Sequence, residues 1–529
     1  MDRRAFLTTS AAAGIAAMPL HPVSAQSRGN TPQWSAGAVA HVLPTVDHQN
    51  ILIKTSFLRP LPAAPSLFVD GQRFAGRQTD SEGSFWSFHA HSLAPARRYT
   101  CALMDAAGNA LCDAWPLKTF PRPEDSPKNF RALIFTCAGG HDVTKRFLPM
   151  SLRVRLLQRA LSFEPDAMVA IGDHIYWDQR SISSRNKADG GVRVAYAGAF
   201  DRTLPVLGTP NERVLKRAVG PQIAELYRTA CRSVPVYFLQ DDHDQFDNDE
   251  ADDQLVTFPP DWFNLNAARA SQWLYYPEFL PDANRPTGLA SSSAADRYPA
   301  HVSESFGTLR YGKLVEMLLY DCRRHLTLTG PSAGFVPPDV EHWLMQRMSA
   351  PEVAHVVNVP STPIGWTAGK WGEWYADMER DRKPTIAVPK PYWQSGWRAQ
   401  HDRLVQAASG MKGRSALFVS GDLHAIGHGR MLATGAIDLS ANPVTSILAG
   451  PLGTGVGWPS ARRGMVPQAP NGIKFEEIVP AIEQNGFIVA DFTLERINVR
   501  FFKWSSKTQT AADMDTLEPF HTAELQRPG

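Results

Sequence analysis

Between residues 33 and 125 the apolar positions come in short runs broken by turn residues, and no helix-length amphipathic segment interrupts them. Asn50 to Phe57, Ser66 to Val69 before Asp70-Gly71, and Tyr99 to Met104 have the length and side-chain content of strands. This texture predicts a small all-β sandwich over 33–125. The proline-rich stretch Pro121 to Pro127 then reads as a linker.

From about residue 130 to 525 the period changes. Ser151 to Ser162 and Glu341 to Met348 space their apolar residues as helices do, and apolar runs of strand length alternate with them. That alternation predicts an α/β layered fold. Gly486 to Asp491 and Arg496 to Phe502 are expected to pair as strands that close a sheet.

Composition narrows the function classes. A length of 529 residues exceeds one ordinary domain, and 43% hydrophobic with 20% charged residues is a globular balance. A net charge of +2 gives no support for a nucleic-acid-binding surface. Past the N-terminus no apolar run is long enough to cross a bilayer. The N-terminus itself reads as a signal peptide over 1–25. Asp2-Arg3-Arg4-Ala5-Phe6-Leu7 precedes the apolar stretch Ala11 to Leu20, and Val23-Ser24-Ala25 makes a cleavage site. The arginine pair before Phe-Leu resembles a twin-arginine signal; an ordinary secretory signal carrying two arginines is the alternative. The expected place is periplasmic or secreted, with the twin-arginine export machinery as a partner. That route carries folded proteins and suits an enzyme metallated before export. Five cysteines leave at least one unpaired. Cys101 and Cys112 flank a turn and are either a hairpin disulfide or two separately buried thiols.

Five apolar runs of the second region stop at chemically useful residues. Arg131 to Thr136 leads to Cys137, Ala167 to Gly172 to Asp173 and Tyr176, and Val234 to Gln240 to Asp241-Asp242-His243-Asp244. Val315 to Tyr320 leads to Asp321 and Arg323, and Ser415 to Gly421 to Asp422 and His424. A single aspartate there ordinarily caps the following helix. Five such ends point to one pocket, because ligands of open α/β sheets bind beyond the carboxyl ends of the strands. Converging carboxylates repel one another unless cations lie between them, so the pattern predicts a metal centre.

Thr136-Cys137, Gly172-Asp-His-Ile-Tyr176, Asp241-Asp-His-Asp244, Asp321-Cys-Arg323 and Gly421-Asp-Leu-His424 resemble, in order, the PhoD-like alkaline phosphatase/phosphodiesterase branch of the calcineurin-like metallophosphoesterases. Asp244 stands where that family often has Glu. Leu93-Ala-Pro-Ala-Arg-Arg-Tyr99 resembles the L-x-P-x-x-x-Y of the fibronectin-type-III-like domain that precedes its catalytic domain. The resemblance implies a metallophosphoesterase-type β-sandwich flanked by helices, preceded by that all-β domain. It also implies iron and calcium. Asp173 is the candidate bridging carboxylate, and Cys137, Tyr176 and His424 complete a set suited to Fe3+. Asp242 and Asp422, with Asn248 as an additional oxygen ligand, suit Ca2+ or another hard divalent ion. Asp241 and Asp244 are either further oxygen ligands or, instead, ligand-supporting groups or helix caps.

His243 is the candidate proton carrier, and Arg323 either grips phosphate oxygens or pairs with Asp321. Taken singly, Cys137 is also readable as a structural thiol, Tyr176 as a core aromatic and His243 as a buried histidine bonded to a carboxylate. The expected reaction is hydrolysis of phosphate monoesters or diesters by in-line attack of metal-activated hydroxide. A phospholipase-like diesterase is the alternative enzyme, and a non-catalytic extracytoplasmic metal- or phosphate-binding protein the alternative without turnover. Gly450 to Gly457 lacks the ending of a nucleotide-binding loop and reads as turns. The aromatic stretch Trp366 to Trp397 either packs an insertion or walls a substrate cleft. No Gly-x-Ser-x-Gly elbow is present.

Overall fold

A computed structural model describes residues 34–144, 147–177, 193–194, 197–245, 262–280, 306–327, 332–368, 395–454, 460 and 465–527. The expected signal peptide and Asn248 lie outside them, as do Trp371, Trp374, Tyr375 and Trp393.

The first eight strands, from Val39–Val46 to Trp115–Lys118, form two four-stranded sheets. One holds Val39–Val46, Ile51–Phe57, Phe85–Ala90 and Arg77–Gln78; the other holds Gln72–Ala75, Ser66–Val69, Arg98–Met104 and Trp115–Lys118. Every pairing is antiparallel, and the sheets meet where Phe85–Ala90 crosses the second sheet. Alternate residues of Arg98–Met104 are buried, the period of a strand with one face on a core. The Tyr99 hydroxyl takes the Ala94 N–H at 2.6 Å and reaches back to its carbonyl at 3.4 Å. This tyrosine corner ties the strand to the turn before it. Cys101 and Cys112 are separate buried thiols, so the hairpin disulfide is not formed.

Two larger sheets follow. A six-stranded sheet runs in the order Val236–Leu239, Ala167–Ile171, Phe130–Thr136, Asn485–Phe492, Arg496–Trp504, His521–Gln526. Its first three strands are parallel and its last three antiparallel. The second sheet has at its centre Val315–Tyr320, His355–Pro360, Leu417–Ser420 and Val444–Ala449, all parallel and fully buried. Continuous apolar runs are what strands covered on both faces require. The helices Met150–Leu161 and Pro338–Ser349 form where their periodicity predicts. Met150, Arg153, Leu156, Leu157 and Ala160 make the inward stripe of the first. Trp366 and Trp397 are core residues, the first edge-on to Phe475 and the second donating to the Thr327 carbonyl at 2.7 Å.

The carboxyl ends of the two sheets meet. Thr136, the last residue of its strand, bridges to Pro451; its N–H donates to Gly450 and its carbonyl accepts from Leu452. Among the described residues no helix is long and apolar enough to cross a membrane.

Candidate metal centre

Four candidate ligands sit in turns that ordinary residues seldom adopt. Among the described residues nine non-glycine positions have φ in the left-handed region, and four are Cys137 (49°), Asp173 (57°), Asp422 (69°) and His424 (50°). Such strain persists where surrounding structure enforces it, and it is what a pre-organised site would require. The glycine before Asp173 has its own reason. Gly172 turns at φ 59°, and a Cβ there would stand 2.4 Å from the Asp241 Cβ. Before Asp422, a Cβ on Gly421 would stand 2.2 Å from Thr136 Oγ1. Both glycines let strand ends approach more closely than any side chain permits.

The turns bring three ligand groups together: Cys137, Asp173 and His424; Asp173, Asp242 and His243; and Asp241, Asp242 and Asp422. Within each group the ligand atoms lie within 4.8 Å of one another, and every residue is buried. Asp173 belongs to two groups and so does Asp242. Tyr176 joins the first: its hydroxyl donates to Asp173 Oδ2 at 2.9 Å and lies 3.3 Å from His424 Nε2. His424 Nε2 is 3.4 Å from the same Asp173 oxygen. The His243 ring stands 4.2 Å from that of Tyr176. All the described candidate ligands are therefore assembled at one place.

Arg323 is fully buried between carboxylates. Its Nε donates to Asp241 Oδ1 at 2.6 Å and its Nη2 to Asp422 Oδ2 at 3.0 Å. The pairing weighed with Asp321 is made with these two instead. Asp321 Oδ1 accepts the backbone N–H groups of Arg323 and Arg324, which fastens it to its own turn.

Asp244 is a backbone organiser. Its two oxygens accept the N–H groups of Asp173, His174, Ile175 and Asp241, so one carboxylate shapes the turns of two ligand strands. Several supporting residues are not among the candidate site residues that the sequence points to. Thr136 Oγ1 lies 3.1 Å from Cys137 Sγ. Gln222 Oε1, from the helix Pro210–Tyr227, accepts the N–H groups of Gly140 and Tyr176. Thr454, within a segment read as plain turns, lies 3.3 Å from the Tyr176 hydroxyl and donates to the Cys137 carbonyl at 3.1 Å. Buried Arg153 holds the carbonyls of Ala138, Gly139 and Gly140. A threonine after an apolar strand, or an arginine on the apolar stripe of a helix, was the available sign. His174 turns away and bonds the Leu239 carbonyl at 2.6 Å.

The electrostatics fit cations. Burial pushes the Cys137 thiol well above its ordinary pKa, and the Asp173 charge adds to the shift. The Tyr176 phenol moves the same way for the same two causes. Burial also raises Asp241; Arg323 opposes this, and Asp422 and Asp173 reinforce it. Such groups ionise together only where positive charge compensates them, and a bound metal supplies it. Asp241 adds a direct sign. Its Oδ1 takes donors from Arg323, Ser361 and Thr362, while its buried Oδ2 has no hydrogen-bond partner. A buried carboxylate oxygen in that condition, beside Asp242 and Asp422, fits a cation ligand. Sulfur, nitrogen and phenol donors gather on the Cys137 side and carboxylates on the Asp241 side, so the donor set suits two unlike ions.

No protein-family model and no curated protein sequence matches the chain. Solved structures do. PhoD superposes with a TM-score of 0.56 at 12% identity, over 93% of this chain and 91% of that one. Purple acid phosphatase PPD1 from yellow lupin (Lupinus luteus) seeds gives a TM-score of 0.55 at 12% identity, over 93% of this chain and 75% of that one. At such identity the likeness is one of backbone architecture. The chain shares the mixed α/β backbone architecture of PhoD and purple acid phosphatase, with an all-β region in front.

Proposed function

We propose that the chain is an exported, metal-dependent hydrolase of phosphate monoesters, diesters or both. The observation that carries this reading is the sharing of Asp173 and Asp242 among three buried ligand groups at the junction of two sheets. Asp173, Cys137, Tyr176 and His424 would hold an iron(III) ion. Asp242 and Asp422, with Asp241 and Asn248 as additional oxygen ligands, would hold calcium or another hard divalent ion. Bound there, the cations would lower the pKa of water and neutralise charge on the phosphate.

The chain's own residues do the rest. Arg323 keeps Asp241 and Asp422 in place and offsets their charge. His243, beside Asp173 and Asp242, is assigned to hold the proton that the leaving alkoxide takes. Strand-end turns fixed by Asp244, Gln222 and Thr454 keep these groups aligned without substrate, which lowers the reorganisation needed during reaction. The paired arginines of the N-terminus support export by the twin-arginine route to the periplasm or beyond.

The test is hydrolysis of a chromogenic phosphate monoester and diester by protein folded with iron and calcium. Activity that vanishes in a folded Asp173→Ala variant is the expected result. A fully metallated protein that hydrolyses neither ester would overturn the reading in favour of a binding protein.

A further inference from the structure

Gln240 follows the strand Val236–Leu239, directly before Asp241-Asp242-His243, and is 2% exposed. Its amide uses every hydrogen-bonding position it has. Nε2 donates to the Ala268 carbonyl at 3.1 Å and to the Tyr276 hydroxyl at 2.6 Å. Oε1 accepts from Gln245 Nε2 at 3.1 Å and from Arg324 Nη2 at 2.7 Å. Only one orientation of the amide serves, since a carbonyl can only accept and a guanidinium can only donate. The partners come from three directions. Gln245 closes the turn that carries His243. Arg324 follows Arg323, which grips Asp241 and Asp422. Ala268 lies in the helix Trp262–Tyr275, and Tyr276 follows it.

We propose that Gln240 is the positioning residue of the Asp241-Asp242-His243 turn. It touches no reacting atom. Its bond to Gln245 spans the turn from 240 to 245, and its bonds to Arg324 and the helix register that turn against the rest of the centre. The spacing of Asp242 from Asp173 and Asp422 thus depends on one neutral amide. Outer groups of this kind ordinarily change metal affinity by 10- to 100-fold. The inference rests on the metal-centre reading above, and its test separates the two.

Protein stripped with a chelator would be titrated with Mn2+ alone, followed by calorimetry and by the spin-resonance signal of free Mn2+. Gln240→Leu is expected to weaken Mn2+ binding by roughly 10- to 100-fold. The control for loss of stability is Leu103→Ala. Leu103 is buried in the N-terminal sandwich, on the strand Arg98–Met104 that pairs with Ser66–Val69 and Trp115–Lys118. That variant is expected to lower the melting temperature through the cavity it leaves and to keep wild-type Mn2+ affinity. Equal losses in both variants, or an unchanged affinity in Gln240→Leu, would overturn the proposal. Should Gln240→Leu fail to fold, Tyr276→Phe removes a single bond to the amide, and the expected loss is then several-fold; wild-type affinity in Tyr276→Phe overturns the proposal. Wild-type protein that binds no Mn2+ overturns the metal-centre reading itself.

Discussion

At the turns of the N-terminal sandwich, Asp70 accepts the Thr100 N–H at 2.8 Å, and Asp105 accepts those of Ala107 and Asn109. Both have lowered pKa values. The Thr100 bond is the main cause for Asp70, and the Asn109 side chain for Asp105. In the second region Asp244 accepts four backbone N–H groups, more than either, yet its pKa is raised because burial and the Asp173 charge outweigh them. Asp241 moves the same way. The same side chain is thus a solvated turn former in one region and a charge held against its preference in the other. Hydrogen-bond number does not separate the two cases; desolvation and neighbouring charge do.

The sharpest way to break this contrast is activity. Asp173→Ala is expected to lower hydrolysis by roughly a thousandfold or more, since metal-centred charge stabilisation is worth several kcal/mol. Asp105→Ala should leave turnover near wild type, and a comparable loss there would erase the distinction. Stability comes next. Asp244→Ala strands four buried N–H groups and is expected to cost about 3–4 kcal/mol in urea unfolding, against under about 1 kcal/mol for Asp70→Ala.

One group in the sandwich behaves as site groups do. His41 is buried between Phe85 and Tyr275, bonds Ser56 and the Tyr275 carbonyl, and has a pKa pushed by burial from 6.5 to about 4. The folded state then binds fewer protons than the unfolded chain between those values. The stabilisation is complete above pH 6.5 and is lost as pH falls to about 4, up to about 3 kcal/mol. A His41→Gln variant should show a shallower fall of the urea midpoint over that window; an unchanged slope would remove His41 from the account. The smallest effect belongs to Tyr99→Phe, where loss of the corner bond should cost about 1 kcal/mol by thermal unfolding.

Most of the candidate ligands are legible in the sequence because they follow apolar strands directly. Phe130–Thr136, Ala167–Ile171 and Val315–Tyr320 announce Cys137, Asp173 and Arg323 by a change from apolar to polar. The sandwich is legible through its short apolar runs broken by turn residues and through the Leu93 to Tyr99 pattern. What stayed hidden acts across distance. Thr454 meets Cys137 from 317 positions away, and Gln222 and Arg153 sit on helices whose pattern shows only a buried face. Arg323 finds Asp241 and Asp422 rather than its near neighbour Asp321 because sheet order, which periodicity does not encode, sets those neighbours.

Phe130–Thr136 lies between Ala167–Ile171 on one side and Asn485–Phe492 on the other. The strand that leads to Cys137 therefore keeps one raw edge until Asn485–Phe492, about 350 residues later, has left the ribosome. During that interval the edge is open to wrong partners, a known hazard of slow, long-range pairing. A chain stopped just before Asn485 would retain every candidate ligand and still lack the strand that holds the first of them in register.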